Sequence, residues 1–366
     1  MVVNYEDGIL SSIAALRAYY GLSSSYEPDE RLARVLAEKK PEKIFLMLVD
    51  AMGANLIKKK LPAEAFVNRN MLYKTETVFP PTTTAATTAI LNGKAPNENA
   101  WLGWAMYFKE IDDTVIPFWN EGKYSGKQYP GFVEKAIPVT RMEKELNESG
   151  RCAKTLNPGF TEKDPHSLEE MIDRMIAISK DQETDFVYAY WDKYDSQMHK
   201  TGPDSEEADQ MLQYINSELE RLAEGIAEKT MLIIVADHGQ VQIRREVNIR
   251  KTPLNRYLLH EPSVEPRAMA FHVREEDREA FAKEFKEMFE KDYVLLDHKQ
   301  VLETKLFGTK ENHPRFEEFI GDFLAIAKSD LCLDYDYEDR EGLRFHGQHA
   351  GMCADEVYIP VIVYQK

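Results

Sequence analysis

Apolar and polar positions along this chain fall into blocks of two lengths, and the lengths predict different elements. Residues 44–49 and 231–236 are near-continuous apolar runs flanked by charge, the pattern of strands buried on both faces of a parallel sheet covered by helices. Each run ends directly in an aspartate with a glycine close behind, in Asp50-Ala51-Met52-Gly53 and Asp237-His238-Gly239. A third strand is predicted over 185–191, leading into Asp192 and Asp195, and a fourth over 357–364, shortly after His349. Helical periodicity lies between them, over 167–180 and 205–227, and Ile9, Ile13, Leu16 and Tyr20 fit one face of an N-terminal helix. The alternation predicts an α/β fold: a mostly parallel central sheet with helices on both faces. Ligands of such sheets gather at the carboxyl ends of the strands, where these aspartates stand.

Two stretches depart from the alternation. Over 241–340 the pattern predicts a strand at 268–273, a charged amphipathic helix at 275–291 and a strand at 294–296. That makes 241–340 a small α+β insertion or cap lobe within a core formed by 1–240 and 341–366. The alternating charges of its helix read as a solvated face. Residues 97–150 carry Trp101, Trp104 and Trp119 and many tyrosines, and read as a loop-rich excursion near the site.

Composition narrows the partners. The chain has 366 residues, beyond the ~250–300 at which a single core stops growing. Lys and Arg number 46 against 63 Asp and Glu, a net charge of −17. That balance argues against a nucleic acid polymer, which requires a basic face, but not against a small phosphate compound, because bound cations invert the local field. Cys152, Cys332 and Cys353 are far apart and odd in number, so the expectation is a reducing compartment without disulfides. The N-terminus lacks the pattern of a signal peptide, and no window reaches the ~18 apolar residues of a membrane span. A cytoplasmic protein with no membrane partner is expected.

Candidate chemistry sits at the ends of the predicted strands. Asp195 and His199, four apart, face the same way on a helix and could share a metal ion, although such pairs are also common on solvated faces. Asp237 directly follows a buried run, where a carboxylate is costly unless paired or metal-bound, and Gly239 gives the backbone freedom to turn His238 to the same side. Asp50 repeats that logic, with a helix N-cap as the plainer reading. In VFPPTTTAATTAILNGKAP, Thr82, Thr83 and Thr84 stand where a helix begins. A hydroxyl there either caps the helix or lies among free N–H groups that favour phosphate, where a nearby metal would make it a nucleophile. His349, with His346 three residues before it, lies in the loop FHGQHAGM. Taken together, the carboxylates and imidazoles form two mixed nitrogen and oxygen donor sets, which suit zinc better than magnesium and also tolerate manganese.

The segments LVDAMG, FPPTTTAATTAILNGKAP, DSQMHKTGP, VADHGQ and HGQHAGMCADEVYIP, with FIGDFLAIA ahead of the last, resemble the alkaline phosphatase superfamily. Within it they resemble the type I phosphodiesterase/nucleotide pyrophosphatase family, in the family's order and from about residue 42 to the end. The resemblance implies two zinc ions, one held by Asp50, Thr83, Asp237 and His238 and the other by Asp195, His199 and His349. It favours Thr83 by its spacing to Asn92-Gly93, Asp195 by its spacing to His199, and His349 by the match of HAGMCADEVYIP to the family's H-G-G-L-x-x-E-E run. It implies ping-pong hydrolysis of a phosphodiester or pyrophosphate bond in a small phosphate ester or nucleotide, with Thr83 as nucleophile and a phospho-threonine intermediate. The chain departs from the family where Thr84-Ala85-Ala86 replaces Phe-Pro-Asn and where WLGW occupies the region of a later asparagine. Trp101, Trp104 and Tyr107 there either form an aromatic wall for a leaving group or fill core. On the same metal frame a phosphomonoesterase or a phosphonate (C–P) hydrolase is the alternative. A non-catalytic binding module is the alternative of another class, and lost ligands would be its mark.

Overall fold

The computed structural model describes residues 3–338 and 342–366. The expected boundary of the insertion at 340/341 lies outside the described residues. A six-stranded sheet runs in the order Met71–Glu76, Tyr358–Gln365, Thr230–Val235, Lys43–Val49, Phe186–Trp191, Ala153–Leu156. Lys43–Val49 is parallel to both its neighbours, and Ala153–Leu156 is parallel to Phe186–Trp191. Tyr358–Gln365 runs antiparallel to both of its own neighbours, so the sheet is mixed, with one reversed strand in a largely parallel frame.

The apolar runs became the sheet's centre because both of their faces are covered. Ile44 to Val49 and Met231 to Val235 are all buried. The two strands the sequence pattern did not predict, Met71–Glu76 and Ala153–Leu156, are the sheet's edges. Their half-exposed, mixed sequences MLYKTE and AKTL lack a continuous apolar run for that reason. The flanking helices formed close to their periodicity, at Leu168–Ser179 and Glu206–Gly225. Ser167 and Ser205 cap them by accepting from the backbone N–H groups of Glu170 and Ala208. Ala208, Leu212, Ile215, Leu219 and Leu222 form the buried stripe of the second helix. Among the described residues no helix is long and apolar enough to cross a membrane.

Within 241–340, a four-stranded antiparallel sheet runs in the order Ser263–Glu265, Ala268–Phe271, Phe323–Ala327, Tyr293–Asp297. Its residues alternate between two apolar clusters. Met269, Phe271, Phe323 and Ala325 join Phe281, Phe285 and Phe289 of helix Arg278–Phe289 in a second core. Ala268, Ala270, Leu324 and Ile326 face the other way, into the main core. The period-two pattern of a strand thus packs this sheet against the rest of the molecule on one face and against its own helix on the other. That helix has a solvated face, as its charges suggest, and a wholly apolar one. Residues 97–150 are more ordered than the loop-rich expectation: Met106–Phe108, Asp113–Ile116 and Glu121–Gly122 form a small antiparallel meander.

Candidate metal and phosphoryl-transfer site

Strand register brings the first acids together. Leu48 lies opposite Val235, and Val49 opposite Trp191, so Asp50 and Asp237 leave adjacent parallel strands side by side. Helix Lys193–Thr201, which begins just beyond Trp191, carries Asp195 and His199. Ala51, in the left-handed region at φ 60°, turns the chain sharply after Asp50. The backbones of the two turns nearly touch, since a Cβ on Gly239 would meet the Gly53 Cα at 3.1 Å, and it would also meet the Asp355 carbonyl oxygen at 2.1 Å. Glycine is required there by that approach.

Asp237 uses Oδ1 to accept from the N–H groups of Ala51 (3.1 Å) and His238 (3.0 Å). Asp50 uses Oδ2 to accept from the hydroxyls of Tyr190 and Thr83, the latter at 3.3 Å. Thr83 opens helix Thr83–Asn92, and its Oγ1 also lies 3.2 Å from His238 Nε2. His199 Nε2 is 3.2 Å from Asp195 Oδ2, and His349 Nε2 is 3.9 Å from Asp195 Oδ1. The imidazoles of His238 and His349 stack with centroids 3.9 Å apart. In all three histidines Nδ1 faces a backbone carbonyl, that of Gly239, Gly347 or Pro81. A carbonyl only accepts, so Nδ1 carries the proton and the Nε2 lone pair points inward, the arrangement that orients metal-ligating histidines.

The near neighbours are separated. Thr82 turns away to Glu265, Thr84 is buried within its helix, His346 is exposed and Asp192 pairs with Lys193. Trp101 is core, donating its indole N–H to the Ile137 carbonyl. Trp104 is half-buried and packs edge-on to Phe118 and Trp119, whose rings are exposed. Tyr107 instead stacks on His260.

The electrostatics call for positive charge. Burial, then the neighbouring Asp237 and Asp195 charges, push Asp50 well above the usual carboxylate range, and burial raises Asp237 as well. Burial would raise Asp195 too, but the adjacent His199 outweighs it and holds the carboxyl below its usual range. Burial and the neighbouring His238 depress His349. Asp50 Oδ1 and Asp237 Oδ2 are buried without a hydrogen-bond partner, a cost that a bound cation would remove. Asp195, His199 and His349 can present ligand atoms within 4.8 Å of one another, and so can Asp50, Asp195 and His238. Asp195 therefore stands between two donor groups, and Asp237 Oδ2 joins the second at 3.5 Å from His238 Nε2. The residues fit a pair of divalent cations.

Several supporting side chains escaped the sequence reading. Tyr190, on Asp50, had a faint signal in the alternation of FVYAYW. Gln240, which donates to Asp195 at 2.5 Å, lies within the VADHGQ segment. Glu265 and Arg267 had none, because what they touch is far away in sequence.

The sequence model of the type I phosphodiesterase/nucleotide pyrophosphatase family matches residues 44–352. The chain belongs to that family. It is accordingly a hydrolase of the alkaline phosphatase superfamily. Among solved structures, the chain is similar to murine ectonucleotide pyrophosphatase/phosphodiesterase 5, with a TM-score of 0.68, 14% identity and 88% of each chain covered. An inactive threonine-to-alanine form of that murine protein, in complex with AMP, matches at a TM-score of 0.67 and 13% identity, again with 88% of each chain covered. Phosphonoacetate hydrolase from Sinorhizobium meliloti, in complex with phosphonoacetate, matches at 0.65 and 14% identity, covering 88% of this chain and 90% of that one. At these identities the likeness is one of fold. Comparison with curated protein sequences finds no match.

Proposed function

We propose that this hydrolase cleaves phosphodiester or pyrophosphate bonds of a small molecule, using Thr83 as nucleophile at a two-zinc site. The observation that carries the reading is the convergence of Asp50, Asp195, Asp237, His199, His238 and His349, from segments hundreds of residues apart, around the Thr83 hydroxyl at a helix N-terminus. Asp50, Thr83, Asp237 and His238 would hold one ion, and Asp195, His199 and His349 would hold the other. Zinc suits the mixed nitrogen and oxygen donors, manganese is compatible with them, and such a pair supplies Lewis acidity and an activated water.

The chain's own part is positioning. Free N–H groups and the positive end of the ten-residue helix Thr83–Asn92 would face the phosphoryl oxygens. Thr83 Oγ1 forms a bond to phosphorus as the bond to the leaving oxygen breaks. Water then cleaves the phospho-threonine and restores the hydroxyl. All seven side chains are in place, which weighs against a binding module. The fold likeness to phosphonoacetate hydrolase makes phosphonoacetate the second substrate to assay.

The test is zinc-dependent hydrolysis of bis(p-nitrophenyl) phosphate, p-nitrophenyl phosphate and phosphonoacetate by the parent and by Thr83→Ala. The alanine form should lose about a thousandfold or more in kcat. Full turnover by Thr83→Ala would end the nucleophile assignment. Failure of the parent to take up zinc would end the metal reading.

A further inference from the structure

Glu265 lies far from the motifs, on the short strand Ser263–Glu265 of the lobe, yet its side chain reaches the candidate site. It is 4% exposed. Its Oε1 accepts from the Thr82 hydroxyl and from the Trp104 N–H at 2.7 Å. Thr82 is the N-cap of the helix that Thr83 opens. The backbone is strained to aim it: Val264, just before it, has φ 70°, an outlier for a β-branched residue. Paired hydrogen bonds between Val264 and Ala105, at 2.5 and 3.2 Å, hold that conformation.

A glutamine oxygen could accept both hydrogen bonds, at far less cost than burying a carboxylate. What glutamate adds is charge. Burial pushes the Glu265 pKa up, while the bonds from Thr82 and Trp104 and the Lys123 ammonium oppose the rise. Among the described residues no lysine or arginine hydrogen-bonds to any of the seven site side chains.

We propose that Glu265 is a specificity-determining residue: its carboxylate, accepting from the hydroxyl of Thr82 one residue before Thr83, is a negative charge at the N-terminus of the Thr83 helix that disfavours doubly charged phosphate monoesters and leaves singly charged diesters as the substrate class. The inference rests on the site reading above. A phosphate monoester, with its second pKa near 6, carries close to two charges in mildly alkaline solution, and a diester carries one. Unit charges roughly 10 Å apart at an effective dielectric of about 20 change binding by about a factor of ten.

Glu265→Gln keeps the shape and both accepted hydrogen bonds while removing the charge. In zinc-loaded protein at pH 8.5, the ratio of kcat/KM for p-nitrophenyl phosphate to that for bis(p-nitrophenyl) phosphate should rise about tenfold. Inorganic phosphate, titrated by calorimetry, should bind about tenfold more tightly. Zinc stoichiometry and the thermal midpoint should match the parent. Ratios and phosphate affinity within twofold of the parent would overturn the proposal, as would loss of zinc or early melting, either of which would make the carboxylate merely structural. Thr83→Ala, assayed alongside, reports separately on the nucleophile, and the phosphate titration needs no turnover to decide the role of Glu265.

Discussion

Each histidine of the site presents the same nitrogen, Nε2, to the centre because a backbone carbonyl occupies the other. At this scale the expected consequence of removing one imidazole donor is a change in metal count. On the two-zinc proposal the parent should bind two zinc ions per chain, and His349→Ala, which removes one of the three donors grouped with Asp195 and His199, should bind one, measured by elemental analysis after dialysis against micromolar zinc. Retention of both ions would remove His349 from the ligand set. From the residues alone Thr83, Asp195 and His349 each kept a near neighbour or two, which the family resemblance set aside, and the fold separates them. Thr82, Thr83 and Thr84 are chemically alike, but only Thr83 meets Asp50 and His238. Which neighbour faces inward depends on the turn of the backbone at that point, and residue identity does not encode it locally.

Among the elements, the loop that carries His349 is anchored by a buried ion pair. Arg267 donates to Glu356 at 2.7 and 2.9 Å, and both side chains are fully buried. Glu356 in turn accepts from the N–H groups of Gly351 (2.7 Å) and Cys353 (3.0 Å), and its carbonyl accepts from Gly239. One pair thus joins the lobe to the loops of both His238 and His349. Arg267→Ala leaves a buried carboxylate without its partner, and should cost about 3–5 kcal/mol of stability in chemical denaturation. On the two-zinc proposal, zinc affinity at the donor group that includes His349 should also fall by roughly 10–100-fold in a chelator competition. A variant with parent-like stability and zinc affinity would show that the pair anchors nothing. Glu356 lay inside a legible segment, HAGMCADEVYIP, but Arg267 did not. Periodicity exposed the elements themselves where burial was complete, as over 44–49 and 231–236, and missed Met71–Glu76 and Ala153–Leu156 where edge strands mix polar and apolar residues.

Across the whole molecule, the lobe sheet is packed on both faces, one against the main core, so its contacts and those of the central sheet support one another. Acid sensitivity should trace in part to Asp181, which ties Lys43 of a central strand and Lys154 of an edge strand to the turn before Phe186–Trp191. Partial burial pushes its pKa up, but hydrogen bonds from Thr184, Lys43 and Lys154 outweigh that and hold it well below the usual carboxylate range. A depressed pKa means the folded state favours the ionised form. Its stabilisation is therefore full above the ordinary aspartate range near pH 4 and fades as pH falls toward the folded value. Asp181→Asn should accordingly lower the melting temperature at pH 7 and differ less and less from the parent as pH drops below 4. A constant difference across that range would sink the assignment.

By itself the sequence determined the α/β class, the strands that form the centre of the sheet and the family, because long apolar runs and ordered motifs are local signals. It also brought the ligands down to a few candidates. Tertiary structure decided the contacts that turn Thr83 to Asp50 and His238 and set His349 beside Asp195, the reversal of the last strand, and the reach of Glu265 and Arg267 from the lobe. Those outcomes depend on strand register and on contacts between residues tens to hundreds of positions apart, and a one-dimensional pattern carries no record of which distant backbone a side chain will meet.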